Sequence, residues 1–114
     1  NKAKDIAQSN ETQMDWIESP TDAVKNANII YTDKWVSMGM ESEEKIRLSD
    51  FKDYQINKNL ISKASKEVLI MHDMPAKEGE EIEYGIIDSD ISLAYEQAEN
   101  RLHSQTALLY KLFS

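Results

Sequence analysis

The sequence predicts an α/β fold: a parallel sheet covered on both faces, in three αβα layers. Two short apolar, β-branched runs carry much of that prediction, Asn28-Ile29-Ile30-Tyr31-Thr32 and Glu67-Val68-Leu69-Ile70-Met71-His72. Each has the length and composition of a buried strand. The segments around them place apolar residues at helical spacing, and strands that alternate with helices build parallel sheets. Each run also delivers polar residues to the loop at its carboxyl end, where open α/β sheets bind ligands.

The elements follow in order. Ala3, Ile6 and Ala7 sit at helical spacing, which predicts a helix over 2–8 that Asn10 ends. Met14-Asp15-Trp16-Ile17-Glu18 alternates like a strand. Ser19-Pro20-Thr21-Asp22 is a helix start, with a Ser cap, Pro in the first turn and an acid three residues past the cap. The short helix it opens should turn Ala23, Val24 and Ala27 inward. After the strand at 28–32, residues 41–54 carry Ile46, Leu48, Phe51 and Tyr54 among acids and lysines, as on a surface helix. Leu60, Ile61 and Ala64 make another short helical face before the strand at 67–71. Residues 75–81 form a polar loop with Gly79, and 82–87 is too mixed to assign. A third strand is expected near 91–95. The terminal helix, from about Gln97 to Phe113, puts Ala98, Leu102, Leu109 and Leu112 on one stripe.

Composition sets outer bounds. With 114 residues the chain is long enough for one domain with a core. Its 40% hydrophobic and 30% charged content is that of a globular protein rather than a disordered one. A net charge of −8 argues against nucleic acid, which needs clustered Lys and Arg. No apolar run approaches the ~20 residues of a membrane span, and residues 1–5 lack the apolar centre of a signal peptide. The chain has no cysteine, so it has neither a disulfide framework nor a thiolate zinc site. The His and acid spacings form no convincing metal site either. The expectation is a cytoplasmic protein with no metal, no cofactor and no membrane partner.

The loop chemistry is more specific. Tyr31-Thr32-Asp33 runs into Ser37-Met38-Gly39, so an acid, a hydroxyl and a glycine leave the end of one strand. Such a set can grip a cationic, hydrogen-bonding small molecule, or it can simply cap its own turn. His72-Asp73-Met74-Pro75 leaves the second strand in the same way. Together with Gly79-Glu80-Glu81 and Ala98-Glu99-Asn100-Arg101-Leu102-His103, these runs resemble the ornithine carbamoyltransferases. The resemblance extends over almost the whole chain, and the order and spacing are more specific than any one motif. One position departs: the family usually has Cys-Leu between this His and Pro, where this chain has Asp73-Met74.

The resemblance implies a doubly wound enzyme of two α/β domains, one for carbamoyl phosphate and one for ornithine. Residues 1–114 would be part of the ornithine-binding domain. The carbamoyl-phosphate domain would be absent, since no Ser-x-Arg-Thr-Arg run occurs and Arg47 and Arg101 are the only arginines. In that family's sheet a strand missing here would lie between those at 14–18 and 28–32. The implied activity is transfer of the carbamoyl group from carbamoyl phosphate to the side-chain amine of ornithine, giving citrulline and phosphate. This is a step of arginine metabolism, carried out by a trimer-based homo-oligomer.

By the same resemblance, Asp33 would lie near the ornithine amine. Ser37 and Met38 would contact the α-amino and α-carboxylate end. His72 and the backbone after it would face the carbamoyl group, with Met74-Pro75 in the place of a cis peptide. Arg101 would reach the carbamoyl oxygen from the first turn of the terminal helix. Asp33, His72, Asp73 and Arg101 are the candidate catalytic residues. Asp33, Ser37, Met38, Asp73, Met74 and Arg101 are the candidate substrate contacts.

Asp73 leaves three readings open. A second carboxylate beside Asp33 could share a proton with it and act as a base. It could also mark another amine substrate, such as putrescine, or a copy that has lost activity. Outside enzymes, the acidic chain fits a stand-alone ligand-binding or interaction domain.

Overall fold

A computed structural model describes residues 2–114. Two strands, β1 (Ile29–Thr32) and β2 (Leu69–His72), pair in parallel and in register, with Ile29 opposite Leu69 and Thr32 opposite His72. Five α-helices accompany them: α1 (Lys2–Ser9), α2 (Pro20–Ala23), α3 (Glu44–Phe51), α4 (Lys58–Ile61) and α5 (Ala94–Phe113). Single 3-10 turns flank α3 at Glu41–Glu43 and Lys52–Tyr54. The α/β class and the parallel sheet are as the sequence predicts.

The predicted Ser19 cap is in place, and a second cap appears at α4. The Ser19 side chain accepts from the Asp22 amide at 3.3 Å, with Pro20 in the first turn. At α4, Asn57 Oδ1 accepts from the Leu60 amide at 2.9 Å. The core gathers Ile56, Ile70, Ile82, Ile86, Ile87 and Ala94. Three of these six come from 82–87, the stretch the sequence left unassigned. It is a succession of turns that drops isoleucines under β2 and shows no single period to detect. Gly79 needs its φ of +89° and its missing Cβ there, since a Cβ would lie 2.8 Å from Tyr84 Cε2.

Several expectations are corrected. The strand expected at 14–18 is an irregular segment with no ladder partner among the described residues, and Trp16 is 88% exposed. Its backbone can form a strand only beside another that takes its hydrogen bonds. The Tyr54 hydroxyl donating to Glu18 O at 3.1 Å ties the segment's end down instead. β1 is not buried on both faces, because Ile29 and Tyr31 are each 55% exposed, and α5 reaches that side through Gln97, which donates to the Tyr31 hydroxyl at 3.0 Å. The strand near 91–95 shrinks to a single bridge between Ile70 and Ser92, as the chain turns into α5 at Ala94. That helix therefore begins three residues before the expected Gln97. Its predicted stripe, Ala98, Leu102, Leu109 and Leu112, is exposed rather than packed. Ala23 is exposed too, while Val24 is buried as expected.

Candidate functional site

Because the two strands are parallel and in register, their carboxyl ends open onto the same edge. The first residue past β1 is Asp33, and the first past β2 is Asp73. The 33–39 loop is held from below by buried Val36 and by Trp35, whose ring stacks on Phe51 of α3 with centroids 6.2 Å apart. Asp33 Oδ1 accepts from the Lys34 amide at 2.6 Å. Glu41 accepts from the Gly39 amide at 3.0 Å, and that bond holds its carboxyl below the usual range.

The second loop is built on a buried pair. His72 and Glu81 are both 0% exposed, and His72 Nε2 lies 3.1 Å from Glu81 Oε1. His72 Nδ1 accepts from the Met74 amide at 2.9 Å. The ring proton therefore sits on Nε2 and is donated to Glu81. Glu81 Oε1 also accepts from the Lys77 amide at 2.5 Å, while its Oε2 has no hydrogen-bond partner. Met74 adopts a left-handed φ of +54°, uncommon for a side chain of its size, and its amide is fixed by His72. The Met74–Pro75 peptide is cis. The Lys77 ammonium meets Glu44 of α3 at 3.5 Å and also pairs with Glu80, which ties this loop to the helix after the first one.

Two cavities lie along this edge. The smaller, about 260 Å³, is lined by Asp33, Lys34, Ser37, Met38, Asp73, Met74 and Pro75. The larger, about 720 Å³, is lined by Asp73, Met74, Gln97, Ala98, Asn100, Arg101, His103 and Ser104. Asp73 and Met74 form the wall the two share. The Asp73 carboxyl is raised above its usual range, first by burial and then by the Asp33 carboxylate beside it. The pair can therefore bind a cation or a proton. Among the described residues, no group of three or more His, Asp or Glu could hold a metal ion.

Five residues singled out from the sequence, Asp33, Ser37, Met38, Asp73 and Met74, thus line one cavity, and Arg101 lines the next. His72 lines neither. Its ring is buried with both nitrogens engaged, so it positions the Met74 turn and does not present its imidazole to a ligand. Arg101 stands in the second turn of α5 rather than the first, because the helix starts early. Its guanidinium forms no ion pair among the described residues, whereas His103 faces Glu99 at 3.6 Å. Sequence reasoning missed Lys34, Gln97, Asn100 and Ser104 as lining residues. It also gave no role to Glu81, although Gly79-Glu80-Glu81 is one of the matching motifs.

Residues 1–112 match the family model of the aspartate/ornithine carbamoyltransferase Asp/Orn-binding domain. The chain belongs to this family. It is 45% identical over 113 residues to the ornithine carbamoyltransferase of Oceanobacillus iheyensis, covering 99% of this chain and 35% of that protein. Over 113 residues it is 42% identical to the catabolic ornithine carbamoyltransferase of Thermoplasma acidophilum, covering 99% of this chain and 37% of the relative. Among solved structures, the ornithine carbamoyltransferase of Pyrococcus furiosus superposes with a TM-score of 0.81 at 43% identity, over 90% of this chain and 33% of the other. The anabolic enzyme of Campylobacter jejuni gives 0.87 at 30% identity, over 96% and 36%. The chain thus spans about a third of the length of these relatives. Its fold belongs to the three-layer αβα, doubly wound class of these carbamoyltransferase domains.

Proposed function

We propose that this chain is part of the amino-acid-binding domain of an ornithine carbamoyltransferase, with the carbamoyl-phosphate domain lying outside residues 1–114. The observation that carries the reading is the smaller cavity. Its lining combines an acid pair with Ser37 and Met38, which suits a ligand with a side-chain ammonium and a polar amino-acid head. The side-chain nitrogen attacks the carbonyl carbon of carbamoyl phosphate, the C–O bond to phosphate breaks, and citrulline forms. The attacking nitrogen must be neutral, so a proton has to leave it, and the Asp33 and Asp73 carboxyls lining the cavity can accept it. Arg101, across the shared wall, supplies positive charge for the carbonyl oxygen as it becomes negative. His72 and Glu81 hold the Met74 turn between the two cavities.

The open edge of β1 belongs to the same proposal. A cavity of about 340 Å³ runs beside it, lined largely by apolar and aromatic side chains such as Ile17, Val24, Ile30, Trp35 and Leu60. The rest of the ornithine domain would fill that space. The whole protein is proposed to act in the cytoplasm as a trimer-based homo-oligomer, with ornithine and carbamoyl phosphate as its small-molecule partners.

A second carboxylate in the amine cavity also favours a diamine such as putrescine as a rival substrate. The test is to supply the full-length protein with carbamoyl phosphate and equal ornithine and putrescine, then separate the products. Citrulline in excess is the expected result. Carbamoylputrescine in excess, or no transfer to either amine, overturns the ornithine reading.

A further inference from the structure

The register Thr32 opposite His72 has a chemical consequence: the two strands end level, and each is followed by an aspartate. Adjacent strands lie ~4.8 Å apart, so the carboxyls of Asp33 and Asp73 leave the sheet as neighbours and line the same cavity. Other charges face this pair from three directions. Lys34 lines the cavity beside Asp33. Arg101 and His103 line the space on the far side of Asp73. His72 Nδ1 comes within 3.7 Å of Asp73 Oδ1, but its lone pair is occupied by the Met74 amide, so it offers Asp73 no proton. Two carboxylates this close ionise together only at a cost unless a cation lies between them.

We infer that Asp33 and Asp73 hold one proton between them in the empty cavity and exchange it for the side-chain ammonium of the substrate. The inference rests on the cavity being the amine site. In binding, the shared proton goes to solvent and the ammonium takes its place between two ionised carboxylates. In reaction, the pair takes one proton back from the ammonium, and the freed lone pair forms the bond to the carbonyl carbon. The second N–H proton leaves on the phosphate oxygen as the C–O bond breaks. Asp73 is then the residue that makes amine uptake proton-coupled. A neutral thiol at this position, the usual family choice, would leave no carboxylate pair and so no shared proton to expel. The raised pKa of Asp73 agrees in direction.

The experiment is isothermal titration of the full-length protein in buffers of different ionisation enthalpy, which counts protons released per ligand bound. Phosphonoacetamide, in which a methylene replaces the scissile oxygen, occupies the carbamoyl-phosphate site. Ornithine is compared with norvaline, which has the same amino-acid head and no side-chain amine, as the pH is raised in steps from the ordinary aspartate pKa of about 3.9. For ornithine, release should approach one proton at its maximum and fade at higher pH; norvaline should release none. Asp73→Asn should bind ornithine with no release. No release with ornithine, or equal release with norvaline or with Asp73→Asn, overturns the inference. The norvaline comparison needs no variant, so it decides the matter even if Asp73→Asn fails to fold. Citrulline formation without proton release defeats the pair and spares the proposed function. Proton release on amine binding without citrulline formation does the reverse.

Discussion

His72 donates Nε2–H to Glu81 Oε1 over 3.1 Å, and neither side chain has any exposed surface. The other ring nitrogen holds the Met74 amide, so one buried pair sets the backbone of the turn between the two cavities. Glu81→Ala removes the acceptor for a buried donor, His72 Nε2–H, and for the part-buried Lys77 amide. Leaving a buried donor unmatched costs about 1–3 kcal/mol, so denaturant unfolding of the full-length protein should show a loss of that size. Glu81→Gln keeps an oxygen for both donors and should lose distinctly less. Equal losses for the two would mean that the hydrogen bonds are not what the carboxyl supplies.

Asp73 leads to a prediction about pH. Its carboxyl is raised in the folded chain, chiefly by burial and by Asp33. A group whose pKa rises on folding favours the folded state below its unfolded pKa. That contribution is lost as the pH climbs through the folded value. Above this window the ionised Asp73 opposes folding, so Asp73→Asn should raise the melting temperature of the full-length protein near neutral pH. The gain should be small, because nearly half of the side chain is in water. It should shrink to nothing as the pH falls below the unfolded value of 3.8. A gain that persists unchanged into acid would point to packing rather than charge.

Arg101 lines the larger cavity and has no ion-pair partner among the described residues, so its charge is available to a ligand. In the full-length enzyme Arg101→Ala should lower kcat by about 100-fold or more, the scale of losing one donor to a developing oxyanion. The melting temperature should move little, because the side chain is exposed. Turnover within a few-fold of the parent would remove Arg101 from the mechanism.

Local chemistry made much of this legible in the sequence. The Ser19 cap, the two strand cores and the loops after them are encoded within short windows, and all appear where the residues place them. The Asp33–Met38 and Asp73–Met74 runs could be paired in advance because parallel strands deliver their carboxyl ends to one edge. What failed depends on partners far along the chain. Residues 14–18 have strand composition, but no neighbouring strand among the described residues completes them. The α5 stripe has the right period, but among the described residues Leu102 and Leu109 stay exposed. His72 is expected to face the carbamoyl group only through the family resemblance. Its burial is decided by Glu81, nine residues on, and no periodicity links the two.

The central claim is that the cavity between the two loops receives the amine of the substrate. Asp33→Asn tests it most directly, since it keeps the size of the side chain and removes the charge facing that amine. In the full-length enzyme kcat/KM for ornithine should fall by at least about 100-fold, roughly 2.7 kcal/mol, with the melting temperature near that of the parent. A kcat/KM within a few-fold of the parent in a folded variant would place the amine elsewhere and contradict the account.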